Sequence, residues 1–179
     1  MTRFVNNITL VGTLMLTVTM LAVAGGFGTT HAAPTPNAME NLALRKPPAA
    51  SSVGVASQKA PKAVDGTATT KWASAITEVS WLMVDLRHRT SIGRYRVVHA
   101  DPFETWHRSS INLRDFQFQI SQDGQNGLTL DSITDNLADV TDRPVNSSDN
   151  YRYVHLYVTD PQTEQLYRGA RIFEFEVYP

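Results

Sequence analysis

The sequence of 179 residues contains no cysteine, so neither disulfide bonds nor a lipid-modified cysteine can stabilise or anchor the protein. It has no long basic run, and its formal net charge is only −1, which argues against nucleic acid or an anionic membrane as a partner. It also lacks a His-Glu-x-x-His motif, a Gly-x-Ser-x-Gly motif and a phosphate-binding loop. These absences favour a binding protein over an enzyme, with a fold stabilised by its core and by any metal that it binds.

The N-terminal segment has the order of features that is typical of a secretory signal. Arg3 precedes an apolar run over residues 8–23, and small residues follow up to Ala32. We expect cleavage after Ala32, so that residues 1–32 are a signal peptide and the mature protein is secreted without membrane insertion. An uncleaved membrane anchor is the alternative, because the apolar run is somewhat long for a signal core.

The composition changes twice after this segment. Residues 33–40 are rich in Pro, Thr, Asn and Ala and are typical of a flexible linker. Residues 41–179 suffice for one domain and show short alternating runs separated by Gly, Pro, Asn and Asp, without a sustained helical period. The pattern predicts an all-β fold, an antiparallel β-sandwich. The predicted strands are Ser80–Asp85, Ile92–Val98, Asp115–Ser121, Tyr151–Val158 and Ile172–Tyr178.

Alternation within these runs also predicts which side chains face the core. Phe116, Phe118 and Ile120 share one face of their strand, and the glutamines between them share the other. In Tyr151–Val158 we expect the aliphatic side chains to face the core and the aromatic ones to lie outside or at a rim.

Six segments follow one another in an order that resembles the discoidin, or F5/8 type C, family, whose nearest bacterial members are family 32 carbohydrate-binding modules. The resemblance implies a jelly-roll-like, galactose-binding-domain-like sandwich of about eight strands over residues 41–179. It also matches Trp81 to the buried tryptophan of the family. The segments are Asn41–Pro47 with Ala50–Ser52, Lys62–Gly66 with Trp72, Trp81–Leu86, Phe118–Gly124, Tyr151–Tyr157 and Arg171–Tyr178.

The resemblance further implies a structural calcium ion where the Asp65-Gly66 turn meets the last strand. Calcium prefers about six to eight oxygen ligands, and two carboxylates would neutralise its charge. The alternative is an ordinary turn beside an exposed strand glutamate. The implied ligands are the side chains of Asp65 and Glu174, the hydroxyl or carbonyl of Thr70, and the carbonyls of Lys62, Thr67 and Phe173.

The stretch from His99 to Arg114 combines imidazole, guanidinium, carboxylate, amide and aromatic groups, which together suit sugar hydroxyls and the apolar face of a pyranose. Structural roles are the alternative: a satisfied histidine at a strand end, a surface ion pair between Arg114 and Asp115, or a ring that covers a sheet edge. His99, Glu104 and His107 fit no common zinc spacing. By resemblance the sugar-contacting or site-shaping residues are His99, Glu104, Asn112 and Arg114, and we add Trp106 and Tyr167 as candidate stacking rings.

The sequence therefore predicts a secreted, monomeric, lectin-like domain that is not an enzyme. Its partner would be a glycan or polysaccharide, with a galactose-like or related sugar recognised through loop residues. Residues 101–103 replace a glycine-rich insert of the family, which leaves the sugar preference open. The alternative functions are a cell-surface or protein-interaction module without sugar binding, and an accessory to a separately encoded glycosidase.

Overall fold

A computed structural model describes residues 39–76, 79–99, 111–161 and 169–179. Within these ranges ten strands form three antiparallel sheets, and a 3₁₀ helix, Ala60–Ala63, precedes the second strand. The strands are β1 (Pro48–Ala50), β2 (Trp72–Ala73), β3 (Ser80–Thr90), β4 (Arg94–Val98), β5 (Asp115–Ser121), β6 (Leu128–Ile133), β7 (Val140–Pro144), β8 (Tyr151–Asp160), β9 (Arg171–Ile172) and β10 (Glu174–Tyr178).

The two larger sheets pack face to face around the core. One has the strand order β1-β3-β8-β5-β6, the other has the order β10-β4-β7, and β2 pairs with β9 in a small third sheet. Tyr95 of β4 stacks on Phe118 of β5 with ring centroids 4.3 Å apart, and Phe175 of β10 meets Phe118 edge-on at 6.2 Å. All three rings have zero exposure, so aromatic packing joins the sheets.

The structure confirms the all-β antiparallel sandwich. Each predicted strand is present, and Val154, Leu156 and Val158 face the core as expected, each with 0% exposure. The sequence did not reveal β6 and β7, whose side chains are mostly exposed and lack a clear apolar alternation. Ten strands replace the expected eight, partly because β2 and β9 have only two residues each.

The expectation of a buried Trp81 was wrong. Trp81 alternates with the fully buried Leu82 and is half-buried on the outer face of the five-stranded sheet. The fully buried tryptophan is Trp72, whose indole Nε1 donates to the Ser52 carbonyl at 3.0 Å. Period two places neighbouring residues on opposite faces, so Trp81 and Leu82 cannot both point inward.

Across the described ranges, we find no helix that is both long enough and apolar enough to traverse a bilayer.

Candidate functional site

One end of the sandwich, here called the loop end, brings several chain segments together. Ser80 at the start of β3 pairs with Val158, and Asp115 at the start of β5 pairs with Asp160 at the end of β8. The loop from β6 to β7 closes over the same end, because Asn136 N donates to the Arg114 carbonyl at 3.0 Å. The sheets thus hold loop residues that are far apart in sequence, as a binding site requires.

His99 follows β4 and points inward, with 0% exposure. Its Nε2 lies 2.8 Å from Thr141 Oγ1, its ring packs against Phe116 at 5.4 Å, and within the described ranges its buried Nδ1 has no hydrogen-bond partner. Burial lowers the pKa of His99 to about 4, although Asp139 opposes the shift. The imidazole is therefore neutral and shielded at neutral pH, and its predicted sugar contact stays a prediction.

Acidification is expected to destabilise the fold through His99. Its ordinary pKa is 6.5 and its folded pKa is about 4, so the contribution to stability is complete above pH 6.5 and is lost as the pH falls towards 4. Between pH 7 and pH 4 the free energy of unfolding should fall by roughly 2–3 kcal/mol more in the wild type than in His99→Gln. Urea titrations at both pH values measure this difference. Equal losses in the two proteins would contradict a buried neutral imidazole.

Asn112 also lies inside the loop end, with 0% exposure. Its Nδ2 donates to the Ala138 carbonyl at 3.0 Å and to Asp139 Oδ1 at 3.3 Å, while its buried Oδ1 has no partner. This side chain holds the loop from β6 to β7 in place. The geometry is compatible with the site-shaping part of its predicted role.

Arg114 is partly exposed and sits among three carboxylates. Its Nε and Nη2 donate to Asp135 Oδ1 at 3.1 and 2.7 Å, and its guanidinium lies 3.6 Å from Asp160 and 3.8 Å from Asp115. The hydrogen bonds that Arg114 donates to Asp135 are the main reason that the pKa of Arg114 is raised. The predicted surface pair with Asp115 is thus the longest of the three contacts, and Asp135 is the principal partner.

The other predicted sugar residues, Glu104, Trp106 and Tyr167, lie outside the described residues, as does His107.

A pocket of ≈ 420 Å³ opens beside β2 and β9, formed by chain segments near residues 54–58, 73–76 and 169–171. Its rim carries exposed apolar side chains, with Val55 54% and Ile76 73% exposed. Polar atoms come from Gln58, Ser74 and Arg171. The combination of apolar wall and few polar groups is typical of a small-ligand site. Sequence analysis missed this pocket, because its residues are ordinary loop types and only the sandwich brings them together.

Ser74 fixes the pocket wall. Its buried Oγ donates to the Ala75 carbonyl at 2.8 Å and accepts from the Ser80 hydroxyl at 2.9 Å and from the Ala170 N–H at 2.8 Å. A Cβ on Gly54 would lie 2.6 Å from the Ser74 carbonyl oxygen, and one on Gly169 would lie 2.9 Å from it. Two glycines therefore allow the close backbone approach that shapes the pocket.

The predicted metal ligands converge on the 62–70 loop. The Thr70 hydroxyl lies 2.8 Å from Asp65 Oδ2, 3.3 Å from the Thr67 carbonyl and 3.4 Å from the Lys62 carbonyl. Lys62 Nζ is 3.3 Å from the same Asp65 oxygen. The Lys62 ammonium and the Thr67 N–H donate to Asp65, whereas the carbonyls of Lys62 and Thr67 share the single Thr70 hydroxyl proton with it and keep lone pairs that could bind a cation.

Glu174 closes this corner from β10. The residue is 3% exposed, its Oε1 accepts from Gly66 N at 3.1 Å, and its buried Oε2 has no hydrogen-bond partner among the described residues. Burial raises the pKa of Glu174 to about 7, and the nearby Asp65 adds to the shift. A buried carboxylate oxygen without a hydrogen-bond donor, next to converging carbonyls, fits a divalent cation.

Phe173, whose carbonyl is another predicted ligand, is buried too. The described residues contain no cluster of three or more His, Cys, Asp or Glu side chains that could hold a metal, so most of the predicted ligands are carbonyl or hydroxyl oxygens.

Comparison with known proteins gave one family match. The F5/F8 type C model described as "NedA-like, galactose-binding domain" matches residues 62–156. No curated protein matches the chain.

Three solved structures illustrate the similarity. Chitosan-binding module 2 of a chitosanase/glucanase from Paenibacillus sp. IK-5, in complex with chitotriose, is 30% identical, with a TM-score of 0.65 over 78% of this chain and 100% of the module. Module 1 of the same enzyme is 26% identical, with a TM-score of 0.65 over 78% and 99%. The family 32 carbohydrate-binding module of Streptococcus pneumoniae EndoD is 18% identical, with a TM-score of 0.67 over 78% and 99%.

Proposed function

Because the chain belongs to the F5/8 type C family of galactose-binding-like domains, we propose that it is a secreted carbohydrate-binding domain with a structural calcium ion and no catalytic activity of its own. Its structural neighbours are carbohydrate-binding modules. Secretion rests on the N-terminal signal, and mass spectrometry of the exported protein should find a chain that starts at Ala33.

The glycan is proposed to bind in the pocket at residues 54–58, 73–76 and 169–171, and this pocket is the observation that carries the proposal. Val55 and Ile76 offer exposed aliphatic surface to the apolar face of a pyranose, while Gln58 and Arg171 offer groups that can bond hydroxyls. Glu104, Trp106 and Tyr167 are proposed to add contacts. A single shallow site of this kind has a dissociation constant of about 1 μM to 1 mM. Tight binding to a glycan surface would therefore require several sites acting together.

Glucosamine-containing oligosaccharides are favoured over the galactose-like sugar that the family resemblance suggests. The relative with 30% identity was solved with chitotriose, a chain of glucosamine units. Asp115, Asp135 and Asp160 surround Arg114 at the loop end, and Asp139 lies beside Asn112. Three carboxylates gathered around one guanidinium would attract ammonium groups.

Calcium is proposed to bind at the corner of the 62–70 loop. The Asp65 and Glu174 side chains, the Thr70 oxygen and the carbonyls of Lys62, Thr67 and Phe173 would hold it. Calcium would supply charge compensation for the two carboxylates and would tie the loop to β10.

A protein-interaction module without sugar binding is the second candidate. It is supported by a row of exposed aliphatic side chains around the pocket, with Val53 43%, Val55 54%, Ile76 73% and Val79 45% exposed. Such a patch also suits a protein partner. A glycan array with galactosides, fucosides and chitosan oligosaccharides separates the two functions, because the absence of binding to every glycan would favour the interaction module.

The substitution Ile76→Ala is expected to weaken chitotriose binding about fivefold, since it removes about 1 kcal/mol of apolar contact. The side chain is 73% exposed, so the fold should not change. Leu128→Ala is the matched control, because Leu128 is also exposed (50%) but lies at the start of β6, at the opposite end of the sheet. Isothermal titration calorimetry measures both. An unchanged dissociation constant in Ile76→Ala would place the sugar elsewhere.

A further inference from the structure

The outer face of the five-stranded sheet carries aromatic and amide side chains in register. Trp81 of β3, Tyr157 of β8 and Gln117 of β5 form one row. The next row, two residues along each strand, holds Met83, His155 and Gln119. Tyr153 continues the aromatic line on β8. These seven half-buried residues, Trp81, Met83, Gln117, Gln119, Tyr153, His155 and Tyr157, are called the outer platform.

The outer face of the three-stranded sheet has a different chemistry. Arg94 forms a bidentate pair with Asp142 at 2.5 and 2.6 Å, and Arg96 pairs with Glu176. Tyr178, the aromatic residue there, lies under the Arg94 guanidinium and donates to Glu176. One outer face is thus covered by ion pairs, whereas the outer platform has no formally charged side chain.

Three of the platform rings carry a polar atom that reaches solvent, whereas the Nε2 of His155 is buried. The indole N–H of Trp81 and the hydroxyls of Tyr153 and Tyr157 have no hydrogen bond to the described residues, yet none of the three atoms is closed off from solvent. Gln119 Nε2 donates to Gln117 Oε1 at 2.8 Å, which orients the two amides. Rings with polar tips beside fixed amides suit a ligand that has apolar faces and hydroxyl edges.

The platform is uncharged at neutral pH. Burial lowers the pKa of His155, so its imidazole stays neutral. Charged groups flank both ends of the platform as ion pairs. Asp85 and Arg152 join through two hydrogen bonds of 2.8 Å beside Tyr153, over whose ring the guanidinium lies at 5.1 Å, and Asp115, two residues before Gln117, pairs with Arg114 at 3.8 Å. This surface offers nothing to compensate the charge of an ionic ligand, and it matches a neutral one.

We propose that the outer platform is a second glycan-binding surface, which takes an uncharged, extended pyranose chain across Trp81, Tyr157 and Gln117. The row lies one residue from Ser80 and two from Asp115, at the loop end, so a long chain can reach both the pocket and the platform. The array of rings on two strands and amides on a third, with strands about 4.8 Å apart, suits a ribbon-like β-linked chain. This inference shares with the proposed function the assumption that glycans are the ligands.

Tryptophan fluorescence can separate the two surfaces. Trp72 is fully buried and should not respond, whereas Trp81 lies on the platform and Trp106 belongs to the predicted loop site. In Trp106→Phe protein, cellohexaose and N-acetylchitohexaose, both uncharged, are expected to shift the emission of Trp81. Additional replacement of Trp81 by Phe should abolish the signal. If neither hexasaccharide changed the tryptophan emission of the Trp106→Phe protein, the proposal of a second glycan-binding surface would be overturned.

A matched pair of variants tests the same surface by affinity. Tyr157→Ala is expected to weaken N-acetylchitohexaose binding about five- to tenfold, because a stacking ring is lost. Tyr178→Ala removes a half-buried tyrosine from the opposite outer face and should leave the affinity unchanged. Thermal melts confirm that both variants fold. Equal affinities in Tyr157→Ala and the wild type would also overturn the proposal.

The two proposals fail in different ways. Suppose that Ile76→Ala weakens chitotriose binding, but that Tyr157→Ala leaves the affinity unchanged and the emission of Trp81 does not shift. The pocket assignment is then supported and the platform proposal is wrong. If the platform responds and Ile76→Ala has no effect, the platform is supported and the pocket assignment is wrong. If the wild type binds no glycan on the array or in solution, both are wrong.

Discussion

Adding calcium to the metal-free protein at pH 8 is expected to raise its melting temperature by about 5–10 °C. A ligand at about one hundred times its dissociation constant adds about 2.7 kcal/mol, and each kcal/mol shifts the melting temperature of a domain of this size by about 2–4 °C. The reason is the Glu174 carboxyl, which is buried with one oxygen unpartnered. Differential scanning calorimetry with calcium and with chelator measures the shift.

The sign of the pH dependence gives a second readout of the same corner. The pKa of Glu174 is raised from 4.5 to about 7, so the folded protein holds this proton more tightly than the unfolded chain does. Its contribution to stability is complete below pH 4.5 and is lost as the pH rises through 7. In chelator the loss between pH 4.5 and pH 8 should approach roughly 3 kcal/mol, whereas bound calcium should remove it by holding the carboxylate.

Two variants of β10 make the test specific. Glu174→Gln should be more stable than the wild type in chelator at pH 8, because no charge is buried, and should no longer respond to calcium. Glu176→Gln, two residues away, loses the partly buried ion pair with Arg96 and the charge on the acceptor of the Tyr178 hydroxyl, so it should cost about 1–2 kcal/mol while keeping the calcium response. Since His99 is present in all three proteins, its own titration cancels. If the wild type melted at the same temperature with calcium and with chelator, the predicted metal would be excluded.

Ser74→Ala is expected to lower the free energy of unfolding by about 2–4 kcal/mol. The variant leaves the buried Ala170 N–H and the Ser80 hydroxyl without the acceptor that they share in the wild type. Each buried group that loses its partner costs about 1–3 kcal/mol. Because Ser74 also ties β2 to the segment before β9, the pocket should widen and chitotriose binding should weaken at least as much as in Ile76→Ala.

Ser80→Ala is the control for this substitution. It removes the hydrogen bond from the Ser80 hydroxyl to Ser74 Oγ but keeps the one from the Ala170 N–H, so its loss of stability should be smaller than that of Ser74→Ala. Urea denaturation gives the stabilities, and calorimetry gives the affinities. If Ser80→Ala proved as damaging as Ser74→Ala, the hydroxyl of Ser74 would not be the organising group.

The sequence predicted the metal corner, but it did not predict the pocket or the orientation of the loop-end side chains. The convergence of Lys62, Asp65, Thr67 and Thr70 was implied by the family resemblance, and the structure places them together. The sequence did not predict that the side chains of His99 and Asn112 point inward, because the alternation that fixes side-chain orientation within a strand does not continue beyond its ends. It did not predict the pocket either, since Val55, Ile76 and Arg171 belong to segments that meet only through β2 and β9.

The sequence alone determined the sandwich and its core. Strict alternation at Phe116, Phe118 and Ile120, or at Val154, Leu156 and Val158, is a local property that fixes which face is buried. Only the tertiary structure decided the contacts between distant segments, such as Gly66 N with Glu174, 108 residues apart. It also decided that Trp81 faces solvent while Trp72 is buried. The physical reason is that alternation is encoded within a strand, whereas partners across sheets are set by packing the whole domain.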